Sequence, residues 1–150
     1  MTDIAFYHLQ HSPLERVLPK LLDRTLGAGK RALVRVGSRA RAEALSAHLW
    51  AFDAASWLPH GTPGDGFEGD QPVWLTDQDE NPNGADFLFL ADGAEAEDIG
   101  AFERCFELFD GTDETALAAA RLRWGDYKAA GHTLTYWQQT DQGKWEEKKS

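Results

Sequence analysis

The sequence is poor in the features that fix a compartment or a covalent framework. It holds one cysteine, Cys105, so no disulfide can form within the chain. That scarcity points to the reducing cytoplasm. A lone cysteine among Phe and Leu reads as a small buried hydrophobe. No apolar run approaches the roughly 18 residues of a membrane span. Met1-Thr-Asp-Ile-Ala-Phe has neither a basic segment nor a small-residue cleavage site, so it reads as the start of the fold rather than a signal peptide. Positive charge is missing from the middle third, where residues 51–100 hold no Lys or Arg and twelve Asp or Glu. Residues 1–50 hold eight bases against four acids, and the last fifty hold seven against nine, for a net charge of −10. An acidic middle repels phosphate, which argues against broad nucleic-acid binding by the whole surface, and any anion site must be a local basic patch.

Within these limits, 150 residues suffice for one domain with one real core. Residues 4–9 read as a first strand. Ser12, Pro13 and Glu15 form a helix start, and Leu14, Val17, Leu18, Leu21 and Leu22 follow at helical spacing. Pro19 predicts a kink or a late start, and Gly27 and Gly29 an end. Residues 32–36 read as a second strand. Ser38 caps a second helix to about Trp50, with Ala42, Leu45, Ser46 and Leu49 inward. Further strands are expected at 73–75, 87–90 and 105–109, with acidic Gly/Pro loops at 61–71 and 77–85. Asp113 or Thr112 caps a last helix to about Ala130, which Gly131 ends. Residues 133–137 allow a short extra strand. The order of these elements argues for an α/β layered fold with a mostly parallel sheet of about five strands. It occupies residues 1–139, and 140–150 read as a polar, mobile tail.

The familiar catalytic and ligand motifs fail on inspection. Gly27-Ala-Gly-Lys30 lacks the upstream glycine and the Ser or Thr after lysine that a phosphate loop needs; Arg24 and Arg31 stand there. Asp77-Gln-Asp79-Glu-Asn81 opens like a calcium loop, but Pro82 and Leu88 replace its glycine and glutamate. His8 and His11 lack the further ligands of a metal set. No nucleophile elbow is present.

The last helix holds the informative constellation. With Leu122 set toward the core, Ala118, Ala119, Gly125 and Ala129 share its side and Trp124 falls nearly opposite. Leu117, Arg121 and Lys128 then lie beside Trp124, with Tyr127 on its other flank. An exposed indole beside a guanidinium suits a short acidic, aromatic peptide presenting its C-terminal carboxylate. Two other readings stand: the later strand or tail covers Trp124, or a nucleic-acid base stacks on it. A second cluster, Leu49-Trp50-Ala-Phe52 with Trp57-Leu58-Pro59-His60, either fills the edge of the core or forms an apolar patch for a partner.

Across most of its length the chain resembles the chi subunit of bacterial DNA polymerase III holoenzyme. The residues that carry the resemblance are Phe6-Tyr7-His8-Leu9, Gly29-Lys30-Arg31-Ala32-Leu33, Leu49-Trp50, Trp57-Leu58-Pro59-His60-Gly61, Pro72-Val73-Trp74-Leu75 and Arg121-Leu-Arg-Trp124-Gly-Asp-Tyr127-Lys128-Ala-Ala-Gly131. The resemblance implies a three-layer α/β/α, Rossmann-like fold with a mostly parallel sheet. It also implies a non-catalytic subunit of the clamp-loader assembly, with no active site, cofactor or metal of its own. It implies two partners: the acidic C-terminal tail of single-stranded DNA-binding protein, and psi or another clamp-loader-associated protein. DNA is then met only indirectly, and no membrane is involved. Carried over by position, Arg121 and Trp124 are the tail-binding pair, with Leu117 and Lys128 beside them. Trp50 and Trp57, with Leu58 and His60, face psi or its replacement. The family aromatic in the last helix is often tyrosine, and Gly125 and Leu117 stand where basic residues can occur. The stretch after Lys144 extends beyond the usual ending. The competing readings are a nucleotide-dependent enzyme or a direct single-stranded nucleic-acid binder on the same fold.

Overall fold

Strands buried on both faces make the centre of the sheet, because parallel strands flanked by helices see no water on either side. In the computed structural model, which describes residues 2–10, 14–50, 62, 72–78, 80–81, 84–91, 93–94, 99–140 and 144–148, β2 (Ala32–Arg35) and β4 (Phe87–Leu90) are such strands, buried at every position, and the strand at 73–76 beside β2 is equally buried. Around them lie β1 (Asp3–Leu9), β3 (Val73–Thr76), β5 (Arg104–Asp110), β6 (Thr133–Gln139) and β7 (Trp145–Lys148). The sheet order is β3-β2-β4-β5-β1-β6-β7. All neighbours are parallel except β6 and β7.

Among the described residues three α-helices complete the fold: α1 (Leu14–Gly27), α2 (Arg39–Trp50) and α3 (Glu114–Ala129). On one side of the sheet, Leu18 and Leu22 of α1 and Ala42, Leu45 and Leu49 of α2 share a core cluster with Ala5, Tyr7, Val34, Phe89 and Phe106. A second cluster gathers Ile4, Phe6, Leu33, Leu88, Leu90 and Cys105 with Ala120 of α3. Strand alternation separates the two sets, since successive side chains on a strand point to opposite faces.

The helix ends follow their expected chemistry. The Ser38 hydroxyl accepts from the Arg41 N–H at 3.1 Å. The Asp113 carboxylate caps α3, accepting from the Thr115 N–H at 2.9 Å. Past α3, Gly131 takes φ 89°, a left-handed conformation in which glycine carries no Cβ penalty. Ala42, Leu45, Ser46 and Leu49 are all buried, as their spacing predicted. Pro19 does not delay α1, which begins at Leu14 and continues through it to Gly27. Ser12 and Pro13 lie outside the described residues.

Among the described residues the expectation of about five strands is corrected to seven. β6 is a full seven-residue strand beside β1, and Trp145–Lys148, inside the stretch read as a polar tail, forms β7 on its far side. Trp-Glu-Glu-Lys has little strand propensity. At a sheet edge its charges are tolerated, because one side of the strand stays in water.

Candidate functional site

The face that α3 turns to the sheet is set by Leu117, Ala120, Trp124 and Tyr127, spaced three, four and three residues apart. The phase based on Leu122 is therefore overturned. Leu122 is 73% exposed, and Ala118, Gly125 and Ala129 are exposed with it. Trp124 meets the edge of Phe6 at 5.2 Å and of Tyr136 at 5.9 Å between ring centroids. The physical reason is area: two large aromatic rings bury far more apolar surface than one leucine and a set of alanines.

Trp124 is nevertheless only half-buried. It lines an open cavity of about 340 Å³ with Phe109, Leu117, Ala120, Arg121, Tyr136, Gln138 and Lys148. Among the described residues its walls carry two cations, Arg121 and Lys148, and no carboxylate. Arg121 is exposed and makes no hydrogen bond or ion pair among the described residues. The covering strands expected as an alternative are also there, since Tyr136 and Gln138 come from β6 and Lys148 from β7. Trp124 is thus both core and cavity wall.

Beneath the cavity the polar groups are fixed. The His8 Nδ1 and the Tyr136 hydroxyl are 2.6 Å apart, which orients the phenol. Burial holds the His8 imidazole below the usual histidine range, and the Arg121 charge acts in the same direction against Gly111 and Asp110. Burial raises the Tyr136 hydroxyl above its usual value. On the other flank of α3, the Arg123 Nε and the Tyr127 hydroxyl both donate to Glu107 Oε2 at 2.8 Å. Burial, then the Glu107 charge, pushes the Tyr127 hydroxyl strongly up.

Of the residues the sequence singled out, Arg121, Trp124 and Leu117 come together in the cavity. Lys128 does not line it: it is exposed in the last turn of α3, about 10 Å along the helix axis from Arg121. Trp50 ends α2, while Trp57, Leu58 and His60 lie outside the described residues. Sequence reasoning missed Phe109, Tyr136, Gln138 and Lys148. The alternation in Thr-Leu-Thr-Tyr-Trp-Gln-Gln is a signal for Tyr136 and Gln138. Lys148 had no signal, because its strand does not read as one.

The model of the family described as DNA polymerase III chi subunit, HolC matches residues 1–135. The chain belongs to the DNA polymerase III chi subunit family. It is accordingly a replication accessory subunit. The DNA polymerase III subunit chi of Escherichia coli (strain K12) is 27% identical over 142 residues, 89% of this chain and 96% of that protein. A probable DNA polymerase III subunit chi of Rickettsia prowazekii (strain Madrid E) is 23% identical over 90 residues, 60% of this chain. That match spans only about half, 54%, of the Rickettsia protein. The family match takes in α3 with Arg121 and Trp124, and it stops inside β6.

Proposed function

We propose that this chain is a non-catalytic adaptor of the polymerase III clamp-loader assembly that holds the acidic C-terminal tail of single-stranded DNA-binding protein in the Arg121–Trp124 cavity. The observation that carries this reading is the make-up of the cavity: an exposed guanidinium beside a half-buried indole, on walls whose described residues include two cations and no acid. A terminal carboxylate takes the two-pronged fork of Arg121. The apolar side chain at the end of the tail rests on Trp124, Phe109 and Leu117, and acids further up the tail pass Lys128 on the surface of α3.

The same proposal gives the chain a second face. Trp50, Trp57, Leu58 and His60 take psi or another clamp-loader-associated protein, so that the tail is linked to the loader during replication in the cytoplasm. The support is the resemblance at those positions and the density of aromatic residues between 49 and 60. The layering is read as α/β/α and Rossmann-like; the support is that α1 and α2 share one core cluster and α3 another.

Titration calorimetry with a peptide copying the tail tests the assigned site. Arg121→Ala is expected to weaken binding by about 1–3 kcal/mol through loss of a charge-assisted pair. Equal affinity of wild type and Arg121→Ala would overturn the assignment.

One observation favours a nucleotide-binding reading. A larger cavity, about 670 Å³, opens at the carboxyl ends of β1 and β5, beside Leu9 and Asp110. Open α/β sheets bind ligands at such ends. Its charges oppose phosphate: Glu15, Asp110 and Asp113 line it, and the Asp113 carboxylate already occupies the α3 N-terminus. Of its cations, Arg41 pairs with Glu15 at 2.7 Å and Arg123 with Glu107 at 2.8 Å. A thermal-shift screen with nucleotides separates the readings, since any tight ligand raises the melting temperature. Electrophoretic shifts on single-stranded DNA test direct binding, which one indole on a chain of net charge −10 supports poorly.

A further inference from the structure

β7 pairs with β6 in the register Tyr136↔Lys148, Trp137↔Glu147, Gln138↔Glu146 and Gln139↔Trp145. Side chains directly opposite each other on paired strands share a face. Tyr136 faces α3, so Lys148 and Glu146 face α3 too. Trp145 faces the other way, where it packs edge-on against Tyr7 at 5.0 Å. The hairpin is closed by the Thr140 N–H donating to the Lys144 carbonyl at 2.7 Å, and by the Lys144 N–H donating to the Thr140 hydroxyl at 3.2 Å. A slip of one residue would turn Lys148 away from α3 and lift Trp145 off Tyr7. Packing of Trp145 on one face therefore holds Lys148 on the other, in the wall of the Arg121–Trp124 cavity.

Lys148 Nζ lies 3.2 Å from Glu146 Oε1, and the two side chains are 47% and 55% exposed. Water screens such a pair, so an incoming carboxylate can replace Glu146 at little cost. Glu146 is the acid that a negatively charged ligand must displace.

We infer that β7 is a specificity strand: Lys148, held in place by Trp145, is the second cation for an acidic peptide in the cavity, and Glu146 is its built-in competitor. This inference rests on the peptide-binding reading of the same cavity. The strand lies outside residues 1–135 that match the family model.

Fluorescence anisotropy tests it, with the full chain titrated into a labelled Asp-rich peptide that ends in phenylalanine with a free carboxylate. For screened charges at exposed positions, Lys148→Ala is expected to weaken binding about threefold, Lys148→Glu about tenfold, and Glu146→Gln to tighten it about threefold. The differences fade as salt shortens the screening length. A control peptide with Asn for each Asp but the same ending keeps its dependence on Arg121 and loses its dependence on Lys148. If wild type binds and Arg121→Ala weakens binding while the Lys148 and Glu146 variants match wild type, the role of β7 is overturned and the cavity reading survives. If wild type binds neither peptide, the cavity reading falls and takes this inference with it.

Discussion

The guanidinium Nε of Arg123 donates to Glu107 Oε2 at 2.8 Å, a short charge-assisted bond that ties α3 to β5. Glu107 is 1% exposed and the Arg123 side chain is mostly buried. With the packing of Trp124 on Phe6 and Tyr136, the pair holds α3 in the rotation that puts Trp124 in the cavity wall and Leu122 in water.

Arg123→Ala removes the cation beside a buried carboxylate. The expected cost is about 3–5 kcal/mol of folding stability, because the remaining charge keeps its desolvation penalty. Urea denaturation at neutral pH measures it. A change no larger than that of an ordinary surface substitution would contradict the account.

Leu122 offers the opposite case. As an exposed leucine away from any packed feature, Leu122→Ala is expected to change stability by no more than about 0.5 kcal/mol. The phase read from the sequence placed Leu122 in the core, where the same change would cost about 2–5 kcal/mol. The same denaturation series separates the two values.

That contrast shows what the sequence carried. Strand positions 87–90, the α2 core residues and the Asp113 cap were legible, because apolar runs, helical spacing and cap chemistry are local signals. The tilt of α3 was not. Small residues surround it on several sides, so spacing alone admits more than one buried face, and the choice is made by Phe6, Glu107 and Tyr136 on other elements. The pairing of Arg121 with Trp124 survived the wrong phase because residues three apart share a helix face whichever way the helix is turned. Lys148 was out of reach, since its place depends on the register of a hairpin whose second strand looks like a charged tail.

Gly111 follows β5, where its backbone passes close to the His8 ring. A Cβ built there overlaps His8 Cδ2 and Nε2. Gly111→Ala must therefore displace the imidazole and disturb its bond to Tyr136. A loss of about 1–3 kcal/mol is expected, as for other overpacked sites. A melting temperature equal to that of wild type would count against this packing.

His8 also gives a pH dependence. Its folded-state pKa is lowered from the ordinary 6.5, chiefly by burial. The unfolded chain then binds more protons than the folded one below that value. The His8 contribution is fully present above about pH 6.5 and is lost as pH falls from there through the lower folded value. In denaturation at several pH values, His8→Gln should show a shallower slope than wild type across that window. A slope identical to that of wild type would exclude His8 as its source.

The central claim is that the Arg121–Trp124 cavity receives the end of an acidic peptide. A two-dimensional NMR titration of labelled protein with the tail peptide tests it most directly. The account predicts that the Trp124 indole N–H signal and the amide signals of Leu117, Arg121 and Tyr136 move together as peptide is added. Movement confined to other surfaces, with the Trp124 indole signal fixed at saturation, would contradict it.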